Sequence, residues 1–102
     1  NTRYSMTLTD LDRVKDVVRQ STESVSMRVY LFGSHARGTA GAHSDIDLAL
    51  DHEGPLPTGF LAELRDRLHE LPILCSVDIV DLPCAARALA LRIQQEGVLW
   101  IG

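Results

Sequence analysis

Three short runs in which apolar residues alternate with polar ones or follow one another place the strongest constraint on how this chain can fold. They are MRVYLF at 27–32, DIDLAL at 45–50 and CSVDIVDL at 75–82, and each has the length and composition typical of a β-strand. Segments with helical spacing of their apolar residues lie before, between and after them. This alternation predicts an α/β (α+β) fold with one small mixed sheet flanked by helices.

Three amphipathic segments predict the helices of this fold. The first begins after Thr9, a residue suited to the N-cap position, and the second is stopped by Pro72. The third has Pro83 in its first turn and ends at Gly97. The VLWI segment that follows is predicted to be a short edge strand.

Length, charge and composition disfavour several classes of protein. The chain has 102 residues, enough for one domain, and 10 basic against 14 acidic residues give it a net charge of −4. A general nucleic-acid binder is usually basic, so direct nucleic-acid binding is not expected. No apolar run has the length of a membrane span, and no signal-peptide pattern opens the chain. We therefore expect a single domain over residues 1–102, with 1–5 as a tag remnant or disordered terminus, in the cytoplasm.

The two cysteines, Cys75 and Cys84, lie nine positions apart. Disulfides are rare in proteins that are not secreted. Both thiols are therefore predicted to be free and buried.

Two aspartates one residue apart, Asp45 and Asp47, interrupt the second predicted strand. Side chains alternate along a strand, so both carboxylates point to the same face, where their mutual repulsion calls for a compensating cation. Asp78 of the third strand reaches that face if the two strands are adjacent. Three carboxylates are the usual protein share of a two-metal phosphoryl-transfer site, and oxygen ligands suit magnesium. The pattern predicts a site for two Mg²⁺ ions, and the alternative is a polar strand end with solvated carboxylates.

A glycine–serine step precedes the aspartates. Gly33 ends the first predicted strand and Ser34 opens a helical turn, an arrangement that presents backbone N–H groups and a hydroxyl to an anion. Arg37 returns to the same side of the turn and can add a positive charge. Together with the carboxylates, this cradle suits a nucleoside triphosphate with magnesium. The alternatives are a plain N-cap for Ser34 and a surface ion pair for Arg37.

Gly33-Ser34, ten intervening residues and then Asp45-Ile46-Asp47 resemble the signature of the DNA polymerase β-like nucleotidyltransferase superfamily. The longer stretch GSHARGTAGAHSDIDLAL, with VDIVDL downstream, is most similar to the minimal nucleotidyltransferases. The resemblance spans roughly residues 27–82. It implies the polymerase β-like fold and the transfer of a nucleoside monophosphate from a triphosphate to a hydroxyl, with release of pyrophosphate.

The resemblance also implies roles for the site residues and a partner. The glycine–serine step would hold the triphosphate with Arg37 nearby, while Asp45 and Asp47 would carry the metals. Asp78 would complete the metal site and help deprotonate the acceptor hydroxyl. Minimal members are commonly paired, as antitoxins, with an all-helical HEPN toxin, and can adenylylate a tyrosine of that ribonuclease.

Three functions remain open at this point. The favoured one is a Mg-dependent nucleotidyltransferase that uses ATP to modify a HEPN partner. The second is a non-catalytic antitoxin that neutralises its partner by covering it, and the third is a nucleotidyltransferase for an antibiotic. The third is disfavoured because larger relatives use an added helical domain to hold the acceptor. The segment ARALALRI, 86–93, is apolar on more than one face, which indicates a surface for a partner or a second copy.

The remaining polar residues of interest are given structural roles. Asp81 is predicted to end the third strand or to cap a helix, facing away from Asp78. His43, His52 and His69 lack the spacing of metal ligands and are predicted at the surface. His35 is left open to phosphate contact because of its position in the loop.

Overall fold

A four-stranded mixed sheet forms the centre of the computed structural model, which describes residues 9–41 and 44–102. The strands are β1 (Met27–Phe32), β2 (Ile46–His52), β3 (Val77–Asp81) and β4 (Val98–Ile101). Their spatial order is β3-β2-β1-β4, with β2 and β3 parallel and both other pairs antiparallel. The predicted α/β fold with a small mixed sheet is confirmed, and the VLWI segment is the edge strand β4.

Four α-helices accompany the sheet in the described part of the chain. They are α1 (Asp10–Thr22), α2 (Ser34–Arg37), α3 (Phe60–His69) and α4 (Arg87–Glu96). Thr9 is the N-cap of α1, as predicted. Its hydroxyl accepts from the Asp12 N–H at 3.1 Å while the Asp12 carboxylate accepts from the Thr9 N–H at 3.2 Å, which satisfies two otherwise unpaired backbone donors. No described helix combines the length and apolar composition needed to span a membrane.

Some predicted boundaries differ from the structure. Pro83 does not open the third long helix, because it lies in a 3-10 turn, Leu82–Cys84, and the extended backbone of Ala85 and Ala86 delays α4 until Arg87. Asp45 lies just before β2 rather than inside it. β2 in turn continues two residues beyond its predicted end, to His52, because it pairs with β1 as far as Met27.

The two faces of the sheet pack against different helices. Along β2, Ile46, Leu48 and Leu50 face a core completed by α1 and α3. On the opposite face Ala49 packs against Phe32 of β1 and Ile93 of α4. Because side chains alternate along a strand, Asp47 shares the α4 face with Ala49. The candidate site therefore lies on the α4 side of the sheet.

The prediction for the cysteines is only partly right. Both are free, but Cys75 is half-buried and Cys84 is exposed, because Cys84 ends the 3-10 turn at the surface instead of lying inside a packed helix. The predictions for residues 1–5 and for His43 lie outside the described residues.

The prediction that His52 lies at the surface is wrong. Its side chain is only 9% exposed. Its Nδ1 donates to the Gly54 carbonyl at 2.5 Å and its Nε2 donates to Asp81 at 2.6 Å. Because both partners are acceptors, the two contacts favour the form of the ring that carries protons on both nitrogens and is positively charged. His52 thus connects the end of β2 with Asp81. Asp81 is the last residue of β3, as predicted.

We expect this His52–Asp81 contact to make the stability of the fold depend on pH. Desolvation lowers the pKa of His52, but the hydrogen bonds to Gly54 and Asp81 and the charges of Asp81 and Asp51 outweigh it, so the pKa lies above 6.5. The stabilisation is therefore complete below about pH 6.5 and is lost as the pH rises through the raised pKa. Urea unfolding between pH 5.5 and 8.5 should show this loss.

The matched control is His69→Gln, because His69 is an exposed histidine on α3. Protein carrying His69→Gln should keep the pH dependence, and protein carrying His52→Gln should lack it. An equal pH dependence in all three proteins would contradict the assignment.

Candidate active site

The parallel pairing of β2 and β3 places two of the predicted carboxylates side by side. Asp47 and Asp78 are Cα partners in the register, and neighbouring strands lie about 4.8 Å apart. Asp45 precedes Asp47 by two residues, at the point where the chain enters β2. The three aspartates are thus grouped at one end of the sheet, with Asp47 half-buried and the other two exposed.

The charges of this group act on one another. Burial, the Asp78 carboxylate and the Asp45 carboxylate together raise the pKa of Asp47, while His35 and Arg92 act to lower it. A raised pKa means that the ionised form is destabilised by its surroundings. An added cation would relieve that repulsion.

Gly33 brings the backbone into direct contact with this group. Its φ of 75° and ψ of −154° belong to a region that is essentially restricted to glycine. A Cβ at this position would overlap the Oδ2 atom of Asp47 and lie 3.2 Å from its Cγ. The lack of a side chain therefore allows the start of α2, with Ser34, to lie against the Asp47 carboxylate.

Hydrogen bonds connect Ser44, next to the aspartates, with residues nearer the glycine–serine step. His35 Nε2 donates to the Ser44 carbonyl at 3.1 Å, and the Gly41 N–H donates to the Ser44 hydroxyl at 2.8 Å. These contacts fix Ser44, the residue directly before Asp45. No local pattern around His35 predicts this role.

Arg37 contacts a helix that sequence reasoning did not connect with the site. Its Nη1 donates to Glu96 Oε1 of α4 at 2.9 Å, and Glu96 Oε2 lies 3.4 Å from Nε of Arg92. Arg92 is also one of the charges that act on Asp47. Glu96 follows Arg37 by 59 residues, so no local pattern could have revealed the contact.

The donor set suits magnesium in its chemistry, although it is not closed around an ion. Within residues 9–41 and 44–102, no group of three or more His, Cys, Asp and Glu side chains is positioned to hold a metal. The aspartates at this end of the sheet supply only carboxylate oxygens, the ligands that Mg²⁺ prefers, and Mg²⁺ commonly takes its other ligands from water and substrate phosphates. The residues therefore fit a metal that binds together with a nucleotide.

Several solved structures are similar to this chain. One is a chain described as a candidate minimal nucleotidyltransferase, with 31% identity, a TM-score of 0.67 and coverage of 84% of this chain and 87% of that one. Another belongs to a toxin–antitoxin structure with AMP-PNP (28%, TM-score 0.67, 86% and 73%). A third belongs to a complex of a tri-AMPylated Shewanella oneidensis HEPN toxin with an MNT antitoxin (26%, TM-score 0.62, 91% and 70%).

Two sequence comparisons give different results. A comparison with curated proteins finds no significant match. The family model described as "Polymerase beta, Nucleotidyltransferase" matches residues 13–101, which include every predicted site residue and all four strands. The resemblance of the glycine–serine and DID motifs is thus borne out over most of the sequence, and the chain belongs to the polymerase β nucleotidyltransferase family.

Proposed function

We propose that this protein transfers AMP from ATP to a tyrosine hydroxyl of a helical HEPN toxin and acts in the cytoplasm as its antitoxin. Membership of the nucleotidyltransferase family supports the class of reaction. Two similar structures support the donor and the partner, since one is a toxin–antitoxin complex with AMP-PNP and another contains an AMPylated HEPN toxin with an MNT antitoxin.

The observation that carries the proposal is the pairing of Asp47 with Asp78, beside Asp45 and against Gly33. A sheet that needed only stability would not gather three carboxylates where two of them, Asp78 and Asp45, raise the pKa of the third, Asp47. The ionised Asp47 costs free energy in the isolated protein, and a cation with a triphosphate would remove that cost. The arrangement is therefore explained by binding.

The site residues have separate roles towards the donor, ATP, and the acceptor hydroxyl. Asp45 and Asp47 would hold magnesium together with Asp78. The glycine–serine step would contact the triphosphate through backbone N–H groups and the Ser34 hydroxyl, with Arg37 beside it. Magnesium bound there would neutralise the phosphate charge and lower the pKa of the acceptor hydroxyl.

In the transfer step, the acceptor oxygen forms a bond to the α-phosphorus of ATP. The bond from that phosphorus to the bridging oxygen breaks in line, and pyrophosphate leaves with the electron pair. Asp78 accepts the proton of the tyrosine hydroxyl. The protein contributes by orienting the two reactants and by stabilising the developing charge, which are the main sources of catalysis in phosphoryl transfer.

The test uses the full chain, ATP labelled at the α-phosphate, magnesium and a HEPN-family toxin as the partner. We expect label on a tyrosine of the HEPN protein and loss of its ribonuclease activity, with both effects absent when magnesium is chelated. ATP labelled at the γ-phosphate is the control and should transfer nothing. Absence of α-label from the partner would contradict the proposal.

Non-catalytic binding is the second candidate, favoured by apolar side chains at the surface. Leu91 of α4 and Val98 and Leu99 of β4 are each about half exposed, near the segment predicted to meet a partner. Such groups are typical of an interface. Inhibition of the ribonuclease without label transfer would favour this second candidate.

A further inference from the structure

Helix α4 covers the face of the sheet that carries Asp47. Ile93 of this helix packs against Phe32 and Ala49, and Phe32 is the register partner of Asp47 in β1. The chain leaves α4 and enters β4 at Val98, which pairs with Leu31. The C-terminal end of α4 therefore lies at the same end of the sheet as Gly33 and the aspartates.

Three charged side chains meet at this end of α4. Glu96 contacts Arg37 of α2 at 2.9 Å through one carboxylate oxygen and Arg92 at 3.4 Å through the other. One carboxylate thus bridges two guanidinium groups from different elements. The arginines are about half exposed, 45% for the side chain of Arg37 and 54% for that of Arg92, so both can reach a ligand.

A simple stabilising role does not account for this group. Exposed ion pairs contribute little to stability, and an i,i+4 pair on one helix would not need a third member from α2. Arg92 also favours the ionised form of Asp47. Among the described residues, however, its ion pair is with Glu96 rather than with Asp47. Arg92 directly precedes Ile93, the α4 residue that packs with Phe32 on the sheet face that carries Asp47.

We propose that Arg92 is a second cationic residue of the donor site, which binds the triphosphate together with Arg37 while Glu96 positions both guanidinium groups. This inference rests on the proposed function, because it adds a residue to the same ATP site. Guanidinium groups bind phosphate oxygens in a planar, bidentate manner. The C-terminal end of a helix carries partial negative charge, so a triphosphate near α4 requires cations of this kind.

The first experiment measures the Kd for ATP with magnesium and without acceptor. Arg92→Gln should raise this Kd about tenfold, because one charge-assisted contact is lost. Arg92→Lys should give an intermediate Kd, because it keeps the positive charge but loses the planar pair of N–H donors. The matched control is Arg87→Gln, on the same helix and outside the ion pairs of the described residues. Its Kd should equal that of the native protein.

Competition assigns the contact to the phosphates. With ATP held at the Kd of each protein, inorganic tripolyphosphate should displace ATP from the native protein, and about tenfold more should be needed with Arg92→Gln. Adenosine should compete equally well in both. If Arg92→Gln and Arg87→Gln bind ATP equally, the inference is wrong even though transfer by the native protein stands. If the native protein neither binds ATP nor transfers label, the proposed function itself fails.

A second set of variants tests the positioning role of Glu96. Glu96→Gln should raise the Kd for ATP about threefold, the scale of an exposed ion pair, while leaving the melting temperature unchanged. The same substitution should have no effect when Arg37→Gln and Arg92→Gln are both present, because it acts only through them. A lower Kd for Glu96→Gln would mean that Glu96 competes with phosphate, and would overturn its positioning role.

Discussion

Replacing Asp45 and Asp47 together by asparagine should abolish nucleotide transfer and leave the fold at least as stable as before. The carboxylates are proposed to hold the cation that neutralises the triphosphate. Their loss removes several kilocalories per mole of transition-state stabilisation, about a thousandfold in rate or more. The gain in stability has the opposite origin, because burial and the charges of Asp78 and Asp45 raise the pKa of Asp47.

The sign of the stability effect follows from this raised pKa. A folded protein that binds a proton more tightly than the unfolded chain loses stability as the pH rises through that pKa. At pH 7 the ionised Asp47 therefore opposes folding, and asparagine removes the opposition. The free energy of unfolding should be measured in urea with a chelator present, so that no metal compensates the charges.

Asp66→Asn is the control for this experiment, because Asp66 is an exposed aspartate on α3. It should preserve both transfer and stability. Two outcomes would contradict the prediction separately. Nucleotide transfer by the doubly substituted protein would contradict the assignment of Asp45 and Asp47 as catalytic carboxylates. A marked loss of stability would show that these aspartates stabilise the fold.

The parts of this protein that could be predicted from sequence are those governed by local rules. Thr9 and Asp12 form a capping box because the residue types and their spacing are sufficient for it. The alternation of Ile46 and Leu48 with Asp47 likewise determines which side chains share a face of β2. The glycine–serine step and DID are close in sequence, so their motif could be recognised without knowledge of the tertiary structure.

The parts that could not be predicted depend on contacts distant in sequence. The register that places Asp78 beside Asp47 is fixed by how the sheet and helices pack as a whole. The ion pair between Arg37 and Glu96 joins helices that are far apart in sequence. A glutamate or arginine on an exposed helix does not indicate which distant residue it contacts. The burial of His52 also depends on a distant contact, since its partner Asp81 lies 29 residues away.

Gly33→Ala should both destabilise the fold and prevent nucleotide binding. Its φ of 75° and ψ of −154° are disfavoured for alanine by about 1–3 kcal/mol, and the new Cβ would overlap Oδ2 of Asp47. With the overlap added, we expect a loss of about 3 kcal/mol or more, which lowers the melting temperature by at least about 12 °C in a chain of this size. Displacement of the Asp47 carboxylate should abolish ATP binding.

Gly38→Ala provides the matched control, because Gly38 also has a φ of 75° but no atom of the described residues lies within 4 Å of its Cβ position. Its ψ of 17° is left-handed helical, a conformation that costs alanine about 1–2 kcal/mol. Gly38→Ala should therefore lower the melting temperature by roughly 4–8 °C per kcal/mol of that cost and retain ATP binding. Equal losses of melting temperature for Gly33→Ala and Gly38→Ala would mean that the contact with Asp47 contributes nothing to the effect at position 33.

A double-mutant cycle isolates the contact from the backbone strain. The three described atoms nearest to a Cβ at position 33 all belong to Asp47. In protein that already carries Asp47→Ala, only the Cβ of these three remains, and it lies 3.4 Å away in the native geometry, an ordinary contact distance. The cost of Gly33→Ala should then fall by about 1–2 kcal/mol relative to its cost in the native background, a coupling typical of residues in direct contact. A coupling near zero would show that the glycine is required for its backbone conformation alone. A clear coupling would show that the requirement for glycine at position 33 comes from the carboxylate that the proposed site needs.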